Sequence, residues 1–273
     1  HSISLRVLPY ASNRASQVAL QAEDADVIVA DWLLAARLRA SGADISFVPY
    51  STSIGSVMVA AGSTIKTVAG LKGKRIGVAG GPLDKSWLLL RADTKAKLGF
   101  DLADVVEPVF GAPPLLTEEL KAGRLEAVLT YWHYAARLEA RGLHRLVSVA
   151  DIARELAGGA AMPSLGFVFR SSWADANPEA IKGLIDASRA AKQILATSDE
   201  EWERLGSLLK AEDIETRNAL RQGFRAGIPT AWGPTERQGA SKAFEVMRQY
   251  GGDTFTGRVP LLDSATFWPH ADF

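Results

Sequence analysis

Apolar and polar positions alternate in short blocks along this chain, and one succession of blocks recurs one hundred residues later. Residues 20–42 carry a helix end, an apolar run at 27–30, the dipeptide Asp31-Trp32, an amphipathic run and Gly42. Residues 120–142 repeat the order, with Tyr131-Trp132 at the turn and Gly142 at the close. Nine of the 23 paired positions are identical, including the tryptophans, the Ala-Ala-Arg-Leu that soon follows each of them and the final glycine. A short apolar run bounded by turn residues reads as a buried strand, and apolar spacings of three and four read as helix. The repeat thus predicts two related α/β lobes with a cleft between them, and it places Trp32 and Trp132 at that cleft.

The same patterning predicts further strands at 4–9, 45–48, 55–60, 75–79, 105–110 and 166–170. Helices are expected at 14–21, capped by Ser12 or Asn13, and at 33–40, 84–98, 115–122, 177–196, 211–227 and 234–250, with another opening at Asp199. Asn177-Pro178 supplies a cap and a proline at the first helical position. The late helices are expected to wrap the back of a lobe, with Phe267-Trp268-Pro269 anchoring the tail. Residues 1–65 and 163–273 form lobe I on this reading and residues 66–162 form lobe II, hinged near 63–66 and 162–166. Lobe II opens with a βα unit at 75–98 that has no counterpart in lobe I. Lobe I is accordingly expected to lack its first βα unit, about thirty residues in length, and the chain is read as truncated, with His1 a tag remnant.

Composition narrows the functional classes. With 31 basic and 31 acidic residues the formal net charge is zero, so the electrostatic footprint of a nucleic-acid binder is missing. No apolar run approaches the ~20 residues that cross a bilayer, and residues 2–10 are too short and polar for a signal-peptide core. The chain has no cysteine, which rules out disulfides, thiolate metal sites and cysteine nucleophiles.

Several segments resemble the solute-binding proteins of ABC importers, in the class that handles nitrate, taurine, alkanesulfonates and thiamine-pyrimidine precursors. Leu71-Lys72-Gly73-Lys74-Arg75-Ile76-Gly77-Val78 is similar to that family's strand entering the second lobe. Lys121-Ala122-Gly123-Arg124-Leu125-Glu126-Ala127-Val128 is similar to its glycine-containing strand lead-in, and Asn177-Pro178-Glu179-Ala180 to its helix after the return crossover. The resemblance implies a two-lobed periplasmic-binding-protein type II fold and a small-molecule ligand. It also implies ABC importer membrane subunits as partners, a monomer, no cofactor, and a periplasmic location after export, with the leader absent from this chain. The family's first strand and helix have no counterpart here, and its aromatic-acidic-proline turn is replaced by Tyr131-Trp132-His133-Tyr134.

In a doubly wound sheet, ligands collect beyond the carboxyl ends of the strands, where helix N-termini present free N–H groups. Five segments fit that description, and their candidate ligand residues are Tyr10 and Asn13; Asp31 and Trp32; Gly81, Asp84, Lys85, Ser86 and Trp87; Phe110; and Tyr131, Trp132 and His133, with Tyr50 added after a sixth strand. In Gly80–Ser86 the glycines allow a tight turn, and the helix end is suited to an anionic or polar group. The Gly-Lys-Ser/Thr ending of a phosphate-binding loop is missing. Asp31 and His133 are candidates for hydrogen bonds to a ligand amine or acid, and the indoles for a planar or apolar part. No His-x-x-x-His spacing predicts a metal, and no nucleophile has a base beside it in sequence. The expected function is capture of a small organic solute, anionic or aromatic, between two lobes. The alternatives are an enzyme of the same fold in pyrimidine or menaquinone-precursor biosynthesis, and a ligand-sensing effector domain.

Overall fold

The computed structural model describes residues 3–10, 12–211 and 213–273. Four pairs of elements show the repeat directly: α1 (Asn13–Gln21) and α4 (Pro113–Lys121), β1 (Val27–Asp31) and β6 (Ala127–Tyr131), α2 (Trp32–Ala40) and α5 (Trp132–Ala140), β2 (Ile45–Ser51) and β7 (His144–Ser148). Local chemistry sets the ends of these elements. Ser12 Oγ accepts from the Ala15 N–H at 3.2 Å and so caps α1, while Gly42 and Gly142 leave α2 and α5 with φ of +89° and +81°, a conformation that side chains resist.

Two sheets result. One has the order β1-β8-β2, where β8 (Leu165–Arg170) runs antiparallel to both neighbours. The other has the order β5-β4-β6-β3-β7, with β3 (Gly55–Val59) antiparallel between β6 and β7, and with β4 (Arg75–Ala79) parallel to both β5 (Glu107–Gly111) and β6. The chain passes from the first sheet to the second between β2 and β3 and returns to the first at β8. Residues 55–60, expected in lobe I, lie in the five-stranded sheet of lobe II, and the first crossing falls at 52–54 instead of 63–66. The physical reason is that a short, wholly apolar strand carries no mark of which sheet it will join.

Alternation along the strands separates three packing zones. Ile45, Phe47 and Val168 point to a central core shared by both sheets, together with Val57, Val59, Ile76, Val78 and Leu129. That core is filled by α2, α3 (Lys85–Leu98), α6 (Val149–Leu156) and α11 (Pro234–Gly251). On the outer face of lobe II, Met58, Ala79 and Val128 pack under α4 and α5. On the outer face of lobe I, Val48, Phe167 and Phe169 pack under α7 (Ser171–Ala176) and α8 (Pro178–Thr197), with Trp268. The tail anchors as expected: Phe267 bridges to Phe47 and Trp268 N–H donates to the Phe47 carbonyl at 2.9 Å.

Two expectations are corrected. Residues 4–9 form no strand; β1 pairs on one side only, with β8, so no ladder reaches them, and Leu5 and Val7 are exposed. The late helices do not share one back face: α7 and α8 cover the three-stranded sheet, whereas α10 (Ile214–Ala226) packs on α5 and α11 fills the central core against α3 and α6. His1 and Ala11 lie outside the described residues.

Candidate functional site

Because β5, β4 and β6 are parallel neighbours, their carboxyl ends emerge side by side. The Gly80 N–H donates to the Gly111 carbonyl at 3.1 Å, tying the first two ends together. Gly80 has φ of +88°, and a Cβ built there would stand 3.0 Å from Tyr131 Oη and 3.2 Å from Asp84 Oδ2. Glycine is needed for both the turn and the close approach. Asp84 then caps α3, its Oδ1 accepting from the Ser86 N–H at 2.8 Å. In lobe I Asp31, which the repeat pairs with Tyr131, caps α2 in the same way: its Oδ1 accepts from the Leu34 N–H at 2.8 Å.

These two capping carboxylates come from different lobes, and the charge of Asp31 reaches Asp84. Burial raises the pKa of Asp84, and the charge of Asp31 adds to the rise, against the lowering pull of Lys85 and the Ser86 N–H. Tyr131 is pushed up to about 12 by burial, then by Asp84 and Tyr134, so its phenol stays protonated as a donor. His133 is lowered to about 4 by burial and by Arg137, and is a neutral imidazole at physiological pH. It packs between Trp132, met edge to face, and the tilted ring of Tyr134, with centroid distances of 5.5 and 4.7 Å. The mouth between the strand ends is thus acidic and aromatic. The expected anion-binding role of the α3 N-terminus conflicts with this arrangement, because the protein's own Asp84 carboxylate already occupies it.

Other candidates lie elsewhere. Trp32 is 3% exposed, packed between Phe244 and Phe267 at 6.4 Å from each, and Trp87 is 1% exposed against Phe110. Both are core residues, a correction to the sequence reading. The cause for Trp32 is that α2 lies on the central face of its sheet whereas α5 lies on the outer face of the other. Trp132 stays half-buried against Gly223 and Phe224 of α10 and opens onto a hollow of about 990 Å³ with Ser53, Glu139, Asn218 and Gln222. Phe110 is exposed at the sheet edge. Tyr10 and Asn13 line a separate groove beside β1 with residues 3–8. Gly81 and Lys85 are half-buried in the mouth turn, and Ser86 is buried with its Oγ unpartnered.

Tyr50 faces a small cavity of about 60 Å³ that it shares with Trp132, Lys192 and Phe224. Lys192 carried no sequence signal beyond its place in a helix. No group of three or more His, Asp and Glu side chains among the described residues is placed to hold a metal ion, and no described helix is long and apolar enough to cross a membrane.

The family model described as NMT1/THI5 like matches residues 1–201. The chain belongs to the NMT1/THI5-like family. No curated protein matches this member of the family by sequence. Among solved structures, the alkanesulfonate-binding protein SsuA from Xanthomonas axonopodis pv. citri, bound to MOPS, shares the fold with a TM-score of 0.71 and 18% identity over 95% of this chain and 86% of that one. The periplasmic aliphatic sulphonate binding protein SsuA from Escherichia coli gives a TM-score of 0.71 and 16% identity over 94% and 82%. An enzyme, the desulfurization enzyme DSZB, has the same fold at a TM-score of 0.54 and 16% identity over 86% and 81%. The NMT1/THI5-like chain described here therefore has the two-lobed periplasmic-binding-protein fold that its sequence resembles.

Proposed function

We propose that this protein is the solute-binding component of an ABC importer, working outside the cytoplasm as a monomer, and that it holds a small organic solute where Asp31 of lobe I meets Gly80–Ser86 and Tyr131 of lobe II. The observation that carries the reading is that two helix-capping carboxylates, one from each lobe, lie near enough for the charge of Asp31 to act on Asp84. Each keeps one oxygen without a hydrogen bond among the described residues. A solute that offers N–H donors satisfies both at once, touches both lobes and favours the closed state, the form that importer membrane subunits recognise. Aromatic faces at His133 and Tyr131 suit a planar solute. Two carboxylates repel a sulfonate, so the solute differs from the one named for the Xanthomonas relative. The enzyme reading gains no support from the mouth, where Ser86 Oγ has no base bonded to it.

A thermal-shift and calorimetric screen of planar amines, amidines and N–H-rich heterocycles against sulfonates tests this. A matching solute at a hundredfold excess over Kd is expected to raise Tm by about 5 °C, and Asp31→Asn or Asp84→Asn to weaken binding about tenfold or more. Binding of sulfonates alone, or tight binding indifferent to both substitutions, would refute the proposal.

A further inference from the structure

On the outer face of lobe I, the ammonium of Lys192 is buried with no counter-charge among the described residues. Lys192 of α8 is 8% exposed; its Nζ donates to the Tyr50 carbonyl and stands 3.7 Å from the centroid of the Tyr50 ring. An ammonium has three donors, and among the described residues no carboxylate pairs with this one. Burial lowers its pKa to about 8, which leaves it largely protonated at neutral pH.

Lys192 forms part of the floor of a groove of about 680 Å³ between α8 and residues 225–230. A second cation, Arg189, stands one turn earlier on the same helix, with its guanidinium 4.7 Å from the centroid of the Phe273 ring and no ion pair among the described residues. The other charges of the groove are spent: Asp186 pairs with Lys182, and Arg225 with Asp199. Phe167, Ile185 and Ile228 supply apolar walls. Asp31, Asp84, Tyr131 and His133 are not among its lining residues.

We propose that this groove is a second ligand site, built for an aliphatic carboxylate whose head lies between Lys192 and Arg189 and whose tail runs along Phe167, Ile185 and Ile228. A guanidinium fork matches the two oxygens of a carboxylate, and a buried ammonium gains the anion it lacks. The apolar walls select a tail over a bare ion.

The test is calorimetry and lysine-selective NMR on the full chain with hexanoate as probe, beside hexylammonium, 1-hexanol and acetate. Hexanoate is expected to bind and shift the Lys192 signals, with acetate, hexanol and hexylammonium at least about tenfold weaker. Lys192→Gln is expected to weaken hexanoate about tenfold or more, Lys192→Arg less. Arg189 is exposed, so Arg189→Gln keeps the fold and still costs affinity should Lys192→Gln fail to fold. Asp31→Asn and Asp84→Asn leave hexanoate binding unchanged, which separates this site from the one between the lobes. Equal binding of hexylammonium or hexanol, no hexanoate binding at about 10 mM, or affinity lost in the aspartate variants but kept in Lys192→Gln and Arg189→Gln would each overturn the proposal.

Discussion

His133 shows how far one side chain is remade by its surroundings. In sequence it is a histidine in a turn; in the fold, burial and then Arg137 hold it to about 4, against an ordinary value of 6.5. A histidine with a depressed pKa binds its proton more weakly folded than unfolded, so stability falls as the pH drops from 6.5 towards 4. The ring is only partly buried, and solvent screening brings its share to about 2 kcal/mol. Asp84 acts oppositely, because its raised pKa makes the folded state hold a proton more tightly, and stability declines as the pH rises from the usual carboxylate range. The difference in unfolding free energy between the wild type and His133→Asn should therefore change by about 2 kcal/mol between pH 6.5 and 4. Parallel pH profiles for the two proteins would show that His133 carries no such linkage.

Among the elements, α10 stands out for holding the first lobe crossing. The Thr52 N–H donates to the Gly227 carbonyl at 2.9 Å, Ser51 Oγ to the same carbonyl at 3.2 Å and Ser53 Oγ to the Gly223 carbonyl at 3.1 Å. Gly223 also lies against Trp132 of lobe II, where a Cβ would meet the indole at 3.2 Å. One helix end thus bonds the crossing strand and touches the second lobe. A Cβ at Gly227 would stand 1.9 Å from Ser53 Oγ, while its φ of −93° suits any residue, so the penalty for alanine is steric. Gly227→Ala should lower stability by about 2 kcal/mol in urea titration, and an unchanged midpoint would mean that the crossing is not clamped as described. None of this was legible in the sequence: the glycines of α10 look like weak helix positions, and only their neighbours from residues 51–53 explain them.

For the whole molecule, the decisive feature is that one apolar core runs from Val168 and Phe47 of the three-stranded sheet to Val78 and Leu129 of the five-stranded one. Trp32, Trp87 and Phe244 lie in the middle of it. Each lobe keeps a smaller cluster on its outer face, but lobes that share their main core lose it together. Calorimetry should show one unfolding transition, with calorimetric and van't Hoff enthalpies in agreement. Two resolved transitions would mean that the lobes are energetically independent.

The order and ends of the elements were set by the sequence alone, because caps, glycine exits and apolar spacing act within a few residues. The repeat of residues 20–42 fell on the end of α1, on β1 and on α2 and their partners one hundred residues later, and the mouth turn Gly80–Ser86 lay at a strand end as read. Tertiary structure alone decided which sheet took β3 and what became of the paired tryptophans. Trp32 and Trp132 have nearly the same local sequence, yet one is sealed among Phe244 and Phe267 and the other faces a hollow. Local sequence fixes which stripe of a helix is apolar; which face of a sheet that helix covers depends on where the other lobe's surface lies.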